Sequence, residues 1–150
     1  MEKLSFEITI LTAALKVYNT MLADHTYRQW TAVFNPGSFF EGKWEKDAKM
    51  LFCGINKEGK KEGMVSRIAE AIPGRQLSIE HMGILKDGEE ITSGPQVDGW
   101  AGAMEEYFFI ETDGSTLLRV EMDVNEDFKT YFTETWPRAL EVLKQLCENN

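Results

Sequence analysis

The strongest hydrophobic pattern in the chain lies in its last quarter. Apolar residues recur every three or four positions through residues 125–148, which is the period of an α-helix with one buried face. Such a helix extends on the order of 30 Å at about 1.5 Å per residue. Asn125 stands where an N-cap belongs, Glu126 and Asp127 suit the positive end of the helix dipole, and Pro137 predicts a bend over the turn before it. The apolar face is formed by Phe128, Phe132, Trp136, Ala139, Leu143 and Leu146.

Alternating apolar and polar residues predict strands through most of the preceding chain. Two short helical segments, residues 13–22 and 25–31, follow the first strand. Residues 86–99 are rich in Gly and acidic residues and are predicted to form a loop that borders any cavity beneath the sheet. The predicted strands are residues 4–10, 39–44, 50–55, 64–71, 77–85, 103–111 and 116–124.

The order of these elements predicts the fold class. Helices are grouped rather than alternating with strands, which favours an α+β fold with an antiparallel sheet. We expect a curved antiparallel sheet of about six or seven strands, wrapped around the long C-terminal helix, with two short helices after strand 1. The length of 150 residues suits a single domain over residues 1–150.

Strand alternation also predicts which side chains face the helix. Leu118, Val120, Met122 and Val124 share one face of the last strand. A curved sheet that grips a long helix often leaves unfilled volume at one end, so polar residues on this concave face are of interest. His81, Tyr107 and Arg67 are the candidates, although each could be a buried polar group satisfied within the protein.

Composition narrows the range of partners. The formal charge of −9 disfavours binding to nucleic acid and to anionic membrane surfaces, because both are negatively charged. No apolar run approaches the ~20 residues of a membrane helix, and we expect no signal peptide. Cys53 and Cys147 are far apart and form no CxxC motif, so we expect reduced thiols in a cytoplasmic protein.

Motifs for metals, cofactors and covalent catalysis are lacking in the sequence. The acidic segment of residues 123–134 resembles a calcium loop, but Phe128 replaces the required Gly. His25, His81 and the two cysteines lack the spacing of zinc ligands, and no glycine-rich phosphate loop is present. We therefore expect no metal and no cofactor. The residues leave open whether a reaction is catalysed and favour binding; the acid or base of an enzyme could be Glu41, Glu70 or Glu80.

Several short patterns together resemble one known superfamily. The chain is similar to SRPBCC proteins, the START-like, birch-pollen-allergen-like helix-grip proteins, and within them to the branch named after the activator of the heat-shock-protein ATPase. This resemblance implies a deep apolar cavity between sheet and long helix, which different members use for lipids, hormones or polyketides, and it implies no shared catalytic residues. The branch name implies a chaperone as a partner. The similar patterns are Ala13, Val17 and Leu22; Trp30; Gly42 to Trp44; Gly63 to Val65 with Glu70 and Pro73; Leu77; and the segment Phe128 to Trp136 with Leu140 and Leu143.

The leading functional hypothesis is the binding of a small hydrophobic molecule between the sheet and the C-terminal helix. One alternative is a co-chaperone-type protein–protein interaction module that uses an exposed surface near Phe108 and Ile110. A second alternative is an enzyme with an acid or base in the cavity. The candidate ligand-binding residues are Trp30, Phe52, Ile79, His81, Tyr107, Val120, Phe132 and Trp136.

Overall fold

A computed structural model describes residues 1–149 of the chain. It contains eight strands and three helices in the order that the sequence predicts, with one strand added. The elements are β1 (Glu2–Ile10), α1 (Ala14–Leu22), α2 (Asp24–Thr31), β2 (Phe39–Gly42), β3 (Lys49–Ile55), β4 (Lys61–Ile72), β5 (Gln76–Lys86), β6 (Glu89–Ile91), β7 (Ala103–Thr112), β8 (Ser115–Val124) and α3 (Glu126–Glu148).

The strands form one antiparallel sheet in the order β1-β8-β7-β5-β4-β3-β2, and β6 pairs with β5. Every pairing between neighbouring strands is antiparallel. The predicted α+β helix-grip fold is confirmed. The sheet has eight strands rather than six or seven because residues 89–91 of the predicted loop add a short strand beside β5.

The main core lies between the concave face of the sheet and the three helices. The inward row of β8 is buried as predicted, with Leu118 and Val120 fully enclosed. From α3, Trp136, Ala139 and Leu143 pack into the same core. A smaller cluster of Cys53, Val65 and Leu85, with Phe39 and Leu51 packed against it, forms on the other face of the sheet.

Neither α3 nor α1 is capped by the side chain of its own N-cap residue. Asn125 occupies the N-cap position of α3, but its side chain makes no capping hydrogen bond; instead its backbone carbonyl accepts from the amide of Phe128. The start of α1 is capped from outside the helix, because Oε1 of Glu111 in β7 accepts from the amide of Ala14 at 2.7 Å. Helix α3 is continuous through Pro137, and the bend there stays a prediction.

Both cysteines are free thiols buried in the fold. Within residues 1–149 no helix combines the length and the apolar character needed to cross a membrane. The same residues contain no group of three or more His, Cys, Asp or Glu side chains arranged to hold a metal ion.

Candidate ligand-binding cavity

A cavity of about 910 Å³ opens between the concave face of the sheet, α2 and the first half of α3. Its size lies in the range of small-molecule sites, roughly 300–1,000 Å³. Most of its lining is apolar, and aromatic side chains dominate. The aromatic lining residues are Tyr27, Trp30, Phe34, Trp44, Phe52, Trp100, Tyr107, Phe128, Tyr131, Phe132 and Trp136.

Tyr27 of α2 is the centre of one aromatic wall. Its ring centroid lies 4.9 Å from that of Phe40 and 5.9 Å from that of Trp30, both with edge-to-face geometry. The ring centroids of Trp44 and Phe52 lie 6.2 and 6.5 Å from that of Tyr27. Edge-to-face and offset pairs are the favoured arrangements of aromatic side chains, so this wall is well packed without further partners.

Trp136 of α3 is the centre of the second wall. Its ring contacts Phe34 at 4.9 Å, Trp30 at 6.0 Å, and Phe6 and Tyr107 at 6.1 Å. These partners come from α2, the segment after it, and strands β1 and β7. Trp136 therefore joins the long helix to the sheet at the base of the cavity.

Four polar side chains form a hydrogen-bonded row on the concave face. The Ser66 hydroxyl lies 2.8 Å from Nδ1 of His81, and Nε2 of His81 lies 3.0 Å from Oε1 of Glu105. The Tyr107 hydroxyl donates to Oε2 of Glu105. A Ser66 hydroxyl that donates to Nδ1 leaves the ring proton on Nε2, which then donates to Glu105. Each oxygen of the Glu105 carboxylate thus accepts a hydrogen bond from the protein.

Strand register brings this row together. Ile79 of β5 lies opposite Glu105 of β7, so both side chains are on the inward face of the sheet. His81 is two residues after Ile79 on the same strand and therefore shares this face. An irregularity in the pairing of β4 with β5, between Val65 and Ser66, places Ser66 opposite His81. Without that shift the two side chains would belong to opposite faces.

The environment sets the protonation states of the row. Burial alone would raise the pKa of Glu105. The hydrogen bond from His81, the positive charge that the His81 ring carries when it is protonated, and the hydrogen bond from Tyr107 outweigh burial, so the pKa lies below its ordinary value. Burial, reinforced by the negative charge of Glu105, raises the pKa of Tyr107 and of Tyr27 well above the usual range. At neutral pH, Glu105 is a carboxylate and both tyrosines are neutral.

Two indole N–H groups in the cavity wall are buried without a hydrogen-bond partner in the described part of the chain. They belong to Trp44 and Trp136. A buried donor without an acceptor costs about 1–3 kcal/mol, so unpaired groups of this kind are rare in protein interiors. Both residues line the cavity.

The structure brings together most of the residues that the sequence nominates. Val120 is the exception, because it is fully buried in the core and does not line the cavity. Arg67, suggested for the concave face, instead points to the opposite face, where it pairs with Asp47 and Glu80. The residues that do line the cavity are Trp30, Phe52, Ile79, His81, Tyr107, Phe132 and Trp136.

The proposed acids are placed wrongly by the sequence reasoning. Glu41, Glu70 and Glu80 do not line the cavity, and each pairs with a cation: Lys61, Lys46 and Arg67 respectively. The carboxylate in the hydrogen-bonded row of the cavity is that of Glu105. Two adjacent acidic residues, Glu105 and Glu106, interrupt the apolar alternation of β7, so the pattern does not show which of them faces inward. The one available signal is that Glu105 and Tyr107 are two residues apart on a strand and so share a face.

Of the loop of residues 86–99, the first residue alone borders the cavity in the described chain. In the described chain, Lys86 and the next residue after the loop, Trp100, line the cavity. Trp100 reaches the polar row, with its ring 6.4 Å from that of His81. The middle of the loop lies on the other face, where Glu90 and Thr92 line a shallow depression, so the hypothesis is wrong for that part.

Comparison with solved structures shows the same fold in several bacterial proteins. A protein from Mesorhizobium loti is 16% identical with a TM-score of 0.71, and the match covers 99% of this chain and 98% of that one. The Aha1 dimer from Colwellia psychrerythraea gives 16% identity, a TM-score of 0.71 and coverage of 99% and 97%. A protein from Nitrosomonas europaea is 11% identical with a TM-score of 0.72, and the match covers 98% of this chain and 94% of that one.

No protein-family model matches the chain, and no curated protein matches it. At such low identities, likeness to solved structures establishes shared architecture and leaves activity undetermined. The chain has the helix-grip fold over nearly its whole length.

Proposed function

We propose that this protein binds a small, largely apolar molecule in the cavity between its sheet and α3. The observation that carries the proposal is the cavity of about 910 Å³ with its aromatic walls. Burying roughly 200 Å² of apolar ligand surface at about 25 cal/mol per Å² contributes about 5 kcal/mol before the costs of association. Affinity of this kind requires no catalytic residue.

Filling the cavity tests the proposal. Met64 of β4 lines the cavity and lies opposite Phe52 of β3. The larger side chain of Met64→Trp should fill the space beside Phe52 and block binding of the neutral probe N-phenyl-1-naphthylamine. Met82 is 39% exposed and lies in the depression on the other face, so Met82→Trp is the matched control and should leave binding unchanged. Fluorescence titration gives both affinities. Equal binding by the two variants would place the probe elsewhere and contradict the proposal.

Native mass spectrometry of the protein purified from its own host would identify the ligand class directly. A small molecule that is retained by the wild-type protein and lost from Met64→Trp supports the proposal.

A co-chaperone-type role is the second candidate, and it rests on two observations. One is the likeness in fold to the Aha1 dimer from Colwellia psychrerythraea. The other is that Ile110 is 44% exposed on the outer face of β7, where an apolar contact with a partner could form. Stimulation of the ATPase of the host's ninety-kilodalton heat-shock protein, abolished by Ile110→Ser but not by Met64→Trp, would favour this role over ligand binding.

The His81–Glu105 pair favours an acid–base enzyme less than it favours binding. Both ring nitrogens of His81 are engaged by protein groups, and the lowered pKa of Glu105 makes it a weak base. The pair is better suited to hold a fixed negative charge than to transfer protons.

A further inference from the structure

Glu105 is an unusual group for the wall of an apolar cavity. Its side chain is only 17% accessible, yet it lines the cavity and is ionised. A buried charge is strongly unfavourable unless it is paired and hydrogen-bonded. The protein supplies the hydrogen bonds through His81 and Tyr107, and both are neutral donors when Ser66 donates to the His81 ring. The row then keeps one net negative charge.

Acidic side chains outnumber Lys and Arg around the cavity. Among the described residues, Lys86 is the one Lys or Arg in the lining, and it is exposed at the end of β5. Two further lining residues, Glu62 and Asp123, are acidic like Glu105. The side chain of Asp123 is occupied by the amide of Met104, at 2.9 Å. With the His81 ring neutral, the described lining therefore carries a net negative side-chain charge.

Aromatic rings surround the charged row. The His81 ring lies between Phe52, at 6.3 Å, and Trp100, at 6.4 Å. The ring of Tyr107 contacts Trp136 at 6.1 Å, and Tyr27 is close enough to Glu105 for that charge to raise its pKa. The negative faces of aromatic rings attract cations, most strongly where water is excluded.

We infer that the cavity prefers ligands that combine an apolar body with a protonated amine, and that Glu105 binds the ammonium group. Each carboxylate oxygen has lone pairs left after accepting from His81 or Tyr107, so an ammonium group can bind without displacing either donor. The aromatic walls hold the apolar body. This inference rests on the proposed function, since it names the ligand class of the same cavity.

Three probes that share one alkyl chain test the inference: decylamine, decanol and decanoate, each below its micelle concentration and at equal ionic strength. Binding is followed by calorimetry. The wild-type protein should bind decylamine about tenfold or more tightly than decanol, because hydrogen bonds to charged groups are stronger than neutral ones. Decanoate should bind most weakly, because Glu105 repels it.

Two isosteric variants separate Glu105 from the general negative charge of the protein. Glu105→Gln should weaken decylamine binding to the level that the wild-type protein shows for decanol, and a cooperative thermal unfolding transition checks that the variant is folded. Glu106→Gln removes the same charge one residue away, on the other face, where Glu106 accepts from Ser78 at 2.8 Å. It should leave the preference for decylamine unchanged.

The outcomes distinguish the inference from the proposed function. Decanol binding without preference for decylamine, or a preference that survives Glu105→Gln, overturns the inference alone. Failure of all three probes to bind overturns both.

Discussion

At the scale of single residues, Glu105 shows how a charge is maintained inside an aromatic cavity. His81 and Tyr107 each donate to one oxygen of the carboxylate, and Ser66 orients the His81 ring. Hydrogen bonds to a charged group contribute about 1.5–3 kcal/mol each, which is the scale needed to offset partial desolvation. The net result is that the pKa of Glu105 lies below its ordinary value.

Stability should therefore depend on pH through Glu105. A pKa that is lower in the folded than in the unfolded state stabilises the fold above the unfolded-state value, about 4.3, and this contribution is lost as pH falls through the folded-state pKa. Glu105→Gln should reduce the free energy of unfolding most at pH 7 and much less near pH 3. Urea denaturation at both pH values measures the difference. A reduction that does not change with pH would contradict the lowered pKa.

At the scale of elements, the hairpin of β3 and β4 depends on a close backbone contact. Gly63 has φ of +150°, and a Cβ there would lie 1.8 Å from the carbonyl oxygen of Phe52. Only glycine allows this approach, because any other side chain begins with a Cβ. The contact positions Phe52 and Met64, which face each other across the two strands and line the cavity.

Gly63→Ala should destabilise the protein for two reasons, the positive φ and the clash. Gly59→Ala, in the turn of the same hairpin, has φ of +79° but open space around its Cβ, so it isolates the cost of φ. We expect Gly59→Ala to cost about 1 kcal/mol and Gly63→Ala clearly more, beyond about 3 kcal/mol. Thermal and urea unfolding provide the comparison. Equal losses of unfolding free energy in the two variants would mean that β3 and β4 can move apart at Gly63 at little cost, which would contradict the prediction.

At the scale of the whole molecule, the packing of α3 against the concave sheet creates both the core and the cavity. The helix has two distinct halves. Trp136, at the middle, and Ala139, Leu140 and Leu143 in the second half are buried, whereas Phe128 in the first half is 54% exposed. The second half holds the helix to the sheet. The first half, with Phe128 and Phe132, forms one side of the cavity.

Two aromatic truncations on α3 should separate these roles. Trp136→Ala removes the ring that joins α2, the sheet and the helix, and should cost about 3–5 kcal/mol of unfolding free energy. Phe128→Ala should change stability by less than about 1 kcal/mol, since its ring is half exposed, while it weakens N-phenyl-1-naphthylamine binding. Comparable destabilisation by both would show that the first half of α3 also holds the fold together.

The sequence alone determined the architecture, because alternation with period two and the helical period of α3 report which faces are buried, whatever the detailed packing. Most of the residues that it nominated also line the cavity, since apolar residues on inward faces can be recognised one strand at a time. The tertiary structure decided the rest. The inward position of Glu105 and its contact with His81 depend on the register between strands β4, β5 and β7. Val120 lies in the buried core rather than in the cavity, because the helices pack over its part of the sheet. Contacts between residues far apart in sequence arise only when strands pair, so no local pattern could have placed one carboxylate among the aromatic rings.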